Sequence, residues 1–508
     1  MKLLTSLVRW MNIKRLKQIE LFMEYPVEVQ EETLSHLLER AVRTWWGKKH
    51  HFHEIRSVEQ FQQRVPLQSY EEIAPYVERL RHGEKDLLWP GKIRWFAKSS
   101  GTTGSKSKFI PVTREALEEC HFRGGRDVMA LYMKNYPDTR IFSGKSLTLG
   151  GSHQVNQFSP DSLYGDLSAI LIRNIPFWAQ FLRVPELEIA LLDQWDVKLQ
   201  EIARTTVKEN VTNLAGVPSW NLVLIRYILE YTGKQNLLDV WPNLELFIHG
   251  GVSFEPYRKQ FEELIPSPEM HYMETYNASE GFFGIQDDLS RNDMLLMLDY
   301  GVFYEFIPME HFDEDDPPVL TLGEVEKGKN YALGISTNGG LWRYIIGDTI
   351  RFTSLRPPRF VITGRTRHFL NAFGEEVIID NTERALQKAC AMTGAIVSEY
   401  TVAPVFMEAG KKARHEWCIE FEKTPADMDE FVRYLDQTLM EVNSDYEAKR
   451  FKDITLDKPL LHPVRKGTFL EWFRRHEKMG GQNKMPRLSN KRNFVEEILK
   501  IDGEMQAH

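Results

Sequence analysis

A segment rich in Ser, Gly, Thr and Lys separates the apolar stretch IRWFA from the apolar stretch FIPV. It reads KSSGTTGSKSK, whereas a plain turn between two strands needs only about two to four residues. The glycines can take backbone angles that other residues avoid, the hydroxyls can donate hydrogen bonds, and the lysines add positive charge. The segment therefore predicts an oxyanion-binding loop between two strands, with candidate contacts at Ser99, Ser100, Gly101, Thr102, Thr103, Lys106 and Lys108.

Length and charge limit what such a loop can serve. The chain has 508 residues, and at about 100 to 200 residues per domain it predicts two to four folding units. A formal net charge of −8 provides no global field for a polyanion, so we expect no nucleic-acid partner and no membrane partner. Three scattered cysteines exclude a disulfide framework and favour a cytoplasmic location. The first residues are predicted to form an amphipathic helix that docks on the domain.

Apolar runs ending on Gly or Pro alternate with helical stretches through the first half of the chain. Residues 1 to about 90 have a helical pattern, and KSLTLGG, VTNLAGVP and LELFIHGG follow as predicted strands. Strands separated by helices predict a mostly parallel α/β sheet with loops gathered at the strand ends. From about residue 294 to 360 the pattern becomes β, and it predicts a small antiparallel barrel or a distorted sheet from LLMLDYGVFYEFIP, VLTLGEV, YALGIST and LWRYIIGDTIRF.

The rest of the chain returns to mixed order. A helix, two strands, a further helix, and a last strand and helix predict a small α+β domain of ordinary size. We place the boundary near Gly364 to Arg367, which divides the chain into an N-terminal domain, 1–365, and a C-terminal domain, 366–508.

The Ser- and Gly-rich loop is not the phosphate loop of common nucleotide hydrolases. That motif requires Gly directly before its Lys, whereas Ser105 precedes Lys106 here. Instead, SSGTTGSKSKFIP resembles the first core motif of the adenylate-forming superfamily that includes firefly luciferase and acyl-CoA ligases. Its ending, SKSKFIP, is most similar to the auxin-responsive acyl acid-amido synthetase family, and we expect a bacterial-type member.

Two further motifs of that family follow in the expected order. TYNASEG, 275–281, resembles the second core motif, which implies that Ser279 contacts the α-phosphate of ATP, that Glu280 ligates Mg²⁺ and that Tyr276 lies among the nucleotide contacts. LWRYIIGDTIRF resembles the family's YRYxxGD motif, which implies that Asp348 accepts hydrogen bonds from the ribose hydroxyls. Trp342 replaces the first Tyr of that motif, which leaves the role of this aromatic open.

Three shorter resemblances complete the set. Gly250 and Gly251 end the run LELFIHGG and are similar to the segment whose backbone lies against the adenine. The pair Gly364 and Arg365 resembles the hinge between the two domains, and Arg365 is placed among the nucleotide contacts. KMGGQNKMPRLSN resembles the terminal QxKxPR motif, which implies that Lys484 is the catalytic lysine, with Arg487 as a second candidate.

The resemblance implies a luciferase-like adenylating fold. Its large N-terminal domain of α/β subdomains with a small β-barrel would bind ATP and an acyl acid, and its small mobile C-terminal domain would be a lid that carries the catalytic lysine. The implied reaction is ATP- and Mg²⁺-dependent formation of an acyl-adenylate, followed by transfer of the acyl group to an amino acid or another amine. We expect small carboxylic acids and amines as partners, and a monomer or weak homodimer.

Two alternatives stay open. A ligase that passes the acyl group to coenzyme A belongs to the same superfamily, although QNKMPR is unlike the terminal lysine motif of those enzymes. A nucleotide-binding protein without catalysis is the second alternative. The acid itself is not identified, and the candidate lining of its pocket is largely apolar: Trp178, Val217, Pro218 and Trp220.

Overall fold

The computed structural model describes most of the chain in two compact units. The described residues are 2–100, 107–149, 155–192, 194–251, 254–312, 314–366, 369–370, 373–375, 377–407, 412–450, 456–476 and 486–506. The first unit comprises Met1–Ser99 and Phe109–Thr366, and the second comprises Ser100–Lys108 and Arg367–His508. Each unit is considered by itself below.

Helices occupy most of residues 2–81, in agreement with the predicted helical pattern, and recur between strands in the remainder. The helices are α1 (Lys2–Glu24), α2 (Pro26–Ala41), α3 (Trp45–Lys49), α4 (Val58–Arg64), α5 (Tyr70–Arg81), α6 (Phe122–Asn135), α7 (Leu167–Asn174), α8 (Phe177–Gln180), α9 (Leu187–Ala190), α10 (Trp195–Thr206), α11 (Pro218–Thr232), α12 (Glu255–Leu264), α13 (Ile379–Thr393), α14 (Met428–Val442), α15 (Ser444–Arg450), α16 (Thr468–Arg475) and α17 (Asn493–Gln506). Short helical turns lie at Phe52–Glu54, Ala116–His121, Ile141–Ser143, Leu237–Asp239 and Met309–His311.

Strands begin after the N-terminal helices. They are β1 (Trp95–Ser100), β2 (Ser107–Val112), β3 (Lys145–Thr148), β4 (Asn156–Ser159), β5 (Ser162–Gly165), β6 (Arg183–Val184), β7 (Val211–Gly216), β8 (Leu246–His249), β9 (His271–Ala278), β10 (Gly281–Ile285), β11 (Met294–Leu296), β12 (Val302–Pro308), β13 (Asn330–Thr337), β14 (Tyr344–Leu355), β15 (Pro358–Arg365), β16 (Phe369–Leu370), β17 (Val377–Ile378), β18 (Ile396–Val405), β19 (Arg414–Lys423) and β20 (Leu460–Val464).

One eleven-stranded sheet organises the first unit, in the order β12-β13-β14-β15-β11-β10-β9-β8-β7-β3-β6. Strands β6, β3, β7, β8 and β9 are parallel, and the register pairs Gly216 with His249 and His249 with Glu274. Parallel strands end at the same edge of a sheet, so the turns after β7, β8 and β9 lie together. The predicted α/β architecture is confirmed in this half of the sheet.

The segment from residue 294 to 365 forms the antiparallel half of the same sheet. Among the described strands, β12 pairs with β13 alone, so the distorted-sheet alternative describes this region better than a closed barrel. The prediction of a strand at VLTLGEV is wrong, because only Leu320 forms a bridge, to Phe306. The backbone N–H and the hydroxyl of Thr321 both donate to the Glu324 carboxylate at 2.7 Å, and such local bonds favour a turn over a strand ladder.

A four-stranded sheet, in the order β2-β1-β5-β4, holds the strands on either side of the Ser- and Gly-rich loop. Strand β1 runs parallel to β5, with Trp95 paired to Leu163. The hydroxyl of Tyr70 accepts a 2.7 Å hydrogen bond from the Phe109 backbone N–H. Helix α5 is thereby tied to β2, directly after the loop.

The N-terminal helix docks on the first unit, as predicted. Ile19 and Phe22 are buried, and the Arg15 guanidinium donates to the Asp127 and Asp299 carboxylates at 2.7 and 2.8 Å. Cationic and apolar contacts together hold α1 in place. Within the described part of the chain, no helix combines the length and apolar character needed to cross a bilayer.

The second unit contains a three-stranded sheet, β18-β19-β20, in which β18 and β19 are antiparallel and β19 and β20 are parallel. The predicted helices and strands of this region are present. Helix α17 is an addition to the prediction, and it buries Val495, Ile498 and Ile501 beside Trp472 of α16. The recurrence of an apolar residue at every third position of this segment is the sequence pattern that could have predicted α17.

A buried ion pair joins the N-terminal helices to the antiparallel strands. Arg343 has a φ of 45°, and its Nε lies 3.0 Å from both carboxylate oxygens of the fully buried Glu305. Arg343 also donates to the carbonyls of Gln62 and Val65 at 2.9 and 2.7 Å, and its backbone N–H donates to the Ser336 hydroxyl. The Gln62 carbonyl belongs to α4, and Val65 directly follows that helix. The ion pair therefore holds α4, β12 and the start of β14 together.

We predict that Arg343→Met lowers the free energy of unfolding by about 3 to 5 kcal/mol, because it leaves the Glu305 carboxylate buried without its cation. Urea titration followed by tryptophan fluorescence measures the change. Arg114→Met is the matched control, since it removes an Arg from the exposed pair with Glu118 and should leave the titration curve unchanged. A loss below about 1 kcal/mol for Arg343→Met would contradict the prediction.

Candidate functional site

The turns that follow β8 and β9 approach each other closely. A Cβ added to Gly250 would lie 2.3 Å from the carbonyl oxygen of Thr275, and no side chain fits there. Gly251 has a φ of 82°, a conformation that favours glycine. The Thr275 hydroxyl donates a 3.1 Å hydrogen bond to the carbonyl of His249. The structure thus brings the Gly-Gly segment beside TYNASEG, and both glycines are required by local geometry.

The carboxylate of Asp348 is held from two sides. Gly347, with a φ of 94°, precedes it in β14, and Asp348 pairs with Arg365 across the β14–β15 ladder. The Arg365 Nε lies 2.6 Å from Oδ1, and the Tyr276 hydroxyl donates to Oδ2. A carboxylate offers about four acceptor positions, so this one can still accept two hydrogen bonds from a ligand.

Tyr276 remains a hydrogen-bond donor because its environment disfavours the phenolate. Burial, the Asp348 charge and the hydrogen bond to Asp348 raise the pKa of Tyr276 well above its ordinary value. Tyr276, Asp348 and Arg365 lie far apart in the sequence. The sheet brings these three predicted contacts into one cluster.

Glu280 lies at the tip of a two-residue hairpin. Ala278 of β9 pairs with Gly281 of β10, which leaves Ser279 and Glu280 as the half-buried turn. Burial first, and then the nearby Glu280 charge, raise the pKa of Tyr344 well above its ordinary value. Glu280 also contributes to the raised pKa of Tyr276, so the carboxylates of Glu280 and Asp348 share one electrostatic neighbourhood.

Tyr344 is a residue of this neighbourhood that the motifs did not identify. Its ring is fully buried, and within the described ranges its hydroxyl has no hydrogen-bond partner. Tyr344 lies in the same motif as Asp348, four residues earlier, which was the available signal. The preceding aromatic, Trp342, packs in the core, where its indole N–H donates to the Leu88 carbonyl at 3.0 Å. Trp342 therefore anchors the connection between β13 and β14 in the core.

The predicted loop contacts are only partly within the described residues. Ser99 is half-buried at the end of β1, Ser100 ends the same strand, and Lys108 is buried in β2. The other predicted contacts of this loop lie outside the described residues: Gly101, Thr102, Thr103 and Lys106.

The predicted catalytic lysine, Lys484, also lies outside the described residues. Arg487, from the same motif, is engaged within the second unit. Its guanidinium lies 5.2 Å from the centre of the Tyr400 ring and 3.6 Å from the Glu399 carboxylate, and it forms an ion pair with Glu383. This set of contacts favours a structural role for Arg487.

Three of the four predicted pocket residues lie at the start of α11, close to the glycines. Val217 comes directly before the helix, and a Cβ added to Gly251 would lie 3.4 Å from its Cγ2. Pro218 is buried and Trp220 is half-buried. Trp178 belongs to α8, and its side chain lies outside the described part.

Two buried histidines lie at the ends of β8 and β9. His249 stacks on Phe254 at 4.2 Å between ring centres, and burial lowers its pKa to about 3. The Nδ1 of His121 lies 3.0 Å from the Asn277 amide oxygen, and burial lowers the pKa of His121 to about 4. Both imidazoles are neutral near pH 7, so they add no charge to the candidate site.

Comparison with known proteins identifies relatives across nearly the whole chain. Residues 15–270 match the GH3 family N-terminal domain, residues 295–365 the GH3 family central domain, and residues 380–493 the GH3 family C-terminal domain. Indole-3-acetic acid-amido synthetase GH3.4 of Arabidopsis thaliana is 24% identical over 464 residues, which cover 77% of this chain and 76% of that protein.

Solved structures share the fold. The AtGH3.15 acyl acid amido synthetase in complex with 2,4-DB aligns with a TM-score of 0.63 at 18% identity, over 96% of this chain and 95% of that one. A 2-hydroxyisobutyryl-CoA ligase in complex with 2-HIB-AMP and CoA aligns with a TM-score of 0.60 at 13% identity, over 95% and 93%. The predicted adenylate-forming fold class is confirmed.

We predict that acid destabilises the protein through His121. Its pKa in the folded chain is about 4 against an ordinary 6.5, so the unfolded chain binds the proton first as the pH falls. Stability is therefore full above about pH 6.5 and declines towards pH 4, and the shift corresponds to about 3 kcal/mol. Urea titrations across this range should show a smaller decline for His121→Gln, which can keep a hydrogen bond to Asn277.

The control for this experiment is His36→Gln, which changes an imidazole on the exposed face of α2. It should follow the wild-type profile. An equal decline for His121→Gln and the wild type would show that His121 is not the titrating group.

Proposed function

This chain belongs to the GH3 family, which confirms the resemblance drawn from its motifs, and from that premise we propose that it is an ATP-dependent acyl acid-amido synthetase. It activates a carboxylic acid as an acyl-adenylate with release of pyrophosphate. It then transfers the acyl group to an amino acid or another amine and releases AMP. The observation that carries the proposal is the Asp348 carboxylate, oriented by Arg365 and Tyr276 at the position where the family motif places the ribose contact.

The two-step route answers a chemical need. A free carboxylate is a poor acylating agent, and adenylation installs a leaving group on it. During adenylation, negative charge develops at the α-phosphate, where fixed donors and a cation stabilise the transition state. The described carboxylate cluster supplies orientation for the nucleotide, and the cationic groups come from the Ser- and Gly-rich loop and the terminal motif.

Asp348 is the proposed ribose anchor. Its two existing partners fix the plane of the carboxylate before a nucleotide arrives, so little orientational freedom is lost on binding. The two remaining acceptor positions match the two ribose hydroxyls. Gly250 and Gly251 leave the neighbouring backbone without side chains, which suits the approach of a flat base.

Glu280 is the proposed protein ligand for Mg²⁺, next to Ser279 as a contact of the α-phosphate. Mg²⁺ usually takes one or two carboxylates and completes its shell with waters and substrate phosphates. A single half-buried carboxylate at a hairpin tip, close to the Asp348 cluster, fits that arrangement. When bound, the metal would neutralise charge on the phosphates.

The loop and the terminal lysine complete the proposed machinery. Lys106 and Lys108, with the hydroxyls and backbone of Ser99, Ser100, Gly101, Thr102 and Thr103, are the proposed triphosphate contacts. Lys484 is the proposed catalytic lysine, whose ammonium would contact the substrate carboxylate and the α-phosphate. In this proposal residues 1–365 bind ATP and the acid, and residues 366–508 act as the lid that carries Lys484.

The acid pocket is proposed beside the same strand ends. Val217, Pro218 and Trp220 follow β7 and lie near Gly251, and an apolar wall of this kind suits an aromatic or aliphatic acid. Trp178 is kept as a fourth candidate. Transfer to coenzyme A is the second candidate function, and it is favoured by the fold shared with the 2-hydroxyisobutyryl-CoA ligase.

We predict carboxylate-dependent pyrophosphate release from ATP and Mg²⁺ when the enzyme is screened against a panel of aromatic and aliphatic acids. Addition of amino acids should then produce AMP and an amide, detected by mass spectrometry. Exclusive thioester formation with coenzyme A would replace the proposal with the second candidate function. Nucleotide binding without pyrophosphate release for any acid would indicate a protein without catalysis.

We predict that substitutions of Asp348 and of Lys484 change different kinetic parameters. Asp348→Asn should raise the KM for ATP about 10- to 100-fold with a smaller change in kcat, because it weakens hydrogen bonds to the ribose. Lys484→Ala should lower kcat of adenylation about 100- to 1,000-fold with ATP affinity nearly unchanged, because the lysine acts on charge that develops in the transition state. Steady-state pyrophosphate release and nucleotide binding measure the two effects.

Matched controls are available for both variants. Asp287→Asn alters an equally buried carboxylate that is paired with Arg359 at 2.7 Å, and Lys491→Ala removes an exposed lysine near the terminal motif. Both should retain wild-type kinetics. An unchanged KM for Asp348→Asn, or an unchanged kcat for Lys484→Ala, would reject the assigned role of that residue.

A further inference from the structure

Three metal-ligating side chains converge on the turn between α3 and α4, far along the chain from the motifs. His51, His53 and Glu54, here called the histidine turn, place one ligand atom each within 4.8 Å of the others. The Nε2 of His53 lies 3.3 Å from the Glu54 Oε1, and the Nδ1 of His51 lies 3.8 Å from the same oxygen.

These separations suit a tetrahedral metal ion. Zinc binds imidazole nitrogen at about 2.0 to 2.1 Å and carboxylate oxygen at similar distances, which puts neighbouring ligand atoms of a tetrahedron roughly 3.3 to 3.4 Å apart. The separation of 3.3 Å between His53 and Glu54 matches this value, whereas the His51 to Glu54 separation is 3.8 Å and all three ligand atoms lie within 4.8 Å of one another. A small rotation of the exposed His51 imidazole would therefore complete the ligand geometry. Two imidazoles and one carboxylate also form a ligand set that zinc uses when one position stays open.

The backbone of the turn is fixed by its neighbours. Phe52, between the two histidines, is buried and packs on Trp342 at 4.7 Å between ring centres. His51 has a φ of 52°, an uncommon conformation for a residue other than glycine. The adjacent imidazole of His50 contacts the Arg64 carbonyl at 2.8 Å. The ligands therefore project from a held turn.

Arg64 orients the carboxylate from behind. Its Nη1 lies 2.7 Å from the Glu54 Oε2 and donates to the His51 carbonyl at 3.3 Å, which leaves Oε1 towards the two imidazoles. Partners of this kind, which hold a ligand in place, are typical of protein metal sites.

We propose that the histidine turn binds one zinc ion through His51, His53 and Glu54, with the fourth position open to solvent. All three ligands are exposed on a surface turn, so a water molecule can fill the fourth position and the ion would act by cross-linking the turn. The ion would fasten the turn between α3 and α4 close to the buried pair of Arg343 and Glu305, since Val65, next to Arg64, accepts a hydrogen bond from Arg343. Zinc should therefore raise the thermal unfolding midpoint.

Isothermal titration of the full chain, stripped of metal, with zinc chloride at pH 7.5 tests the proposal. We expect one zinc site per chain whose affinity falls about 100-fold or more in His51→Asn and in His53→Gln, and about tenfold in Arg64→Met. Asn is chosen at position 51 because it tolerates the left-handed backbone conformation. The zinc-dependent rise in the thermal midpoint should disappear in the two histidine variants.

His311→Gln is the matched control, because His311 and Glu314 form an exposed pair at 2.7 Å that belongs to no three-ligand group among the described residues. It should keep wild-type zinc affinity. The proposal is overturned if the wild type shows no zinc site, or if its zinc affinity equals that of the two histidine variants. Because the test reads metal binding and stability, its result is independent of the proposed amide synthesis.

Discussion

The buried pair of Arg343 and Glu305 is the interaction on which the arrangement of the first unit depends. Its charges are taken out of water, and they are tolerated because the Arg343 guanidinium donates to the Glu305 carboxylate and to the carbonyls of Gln62 and Val65. Through these bonds the N-terminal helices, β12 and β14 become one body. Asp348 lies five residues beyond Arg343 in β14, so the position of the candidate ribose anchor follows from the position of this ion pair.

The parallel half of the sheet imposes a second constraint. Strands β7, β8 and β9 end at the same edge of the sheet. Glycines lie in the segments at that edge, so few side chains cover the backbone there. Gly250 is demanded by the Thr275 carbonyl, independently of any ligand. A requirement of packing and a requirement of the proposed adenine contact therefore coincide at the same glycine.

Much of the fold could be predicted from the sequence, because the motifs and the spacing of apolar residues report local structure. The contact between Tyr276 and Asp348 could not be predicted. Nothing in either motif states that β9 and β14 belong to one sheet with β15, β11 and β10 between them, or that the phenol points at the carboxylate. Tyr344 was missed for the same reason. Leu320 was wrongly placed in a strand because hydrophobic pattern carries no information about the Thr321 and Glu324 bonds that close the turn.

The ion pair of Arg365 with Asp348 fixes the backbone at the end of the first unit. Arg365 is the last residue of β15, and the next residue, Thr366, donates its N–H to the Gly347 carbonyl at 2.8 Å. Backbone rotation at residues 347–348 or 365–366 would break both this bond and the carboxylate contact. The Asp348 carboxylate, the end of β15 and Thr366 are therefore held together as one rigid element of the first unit.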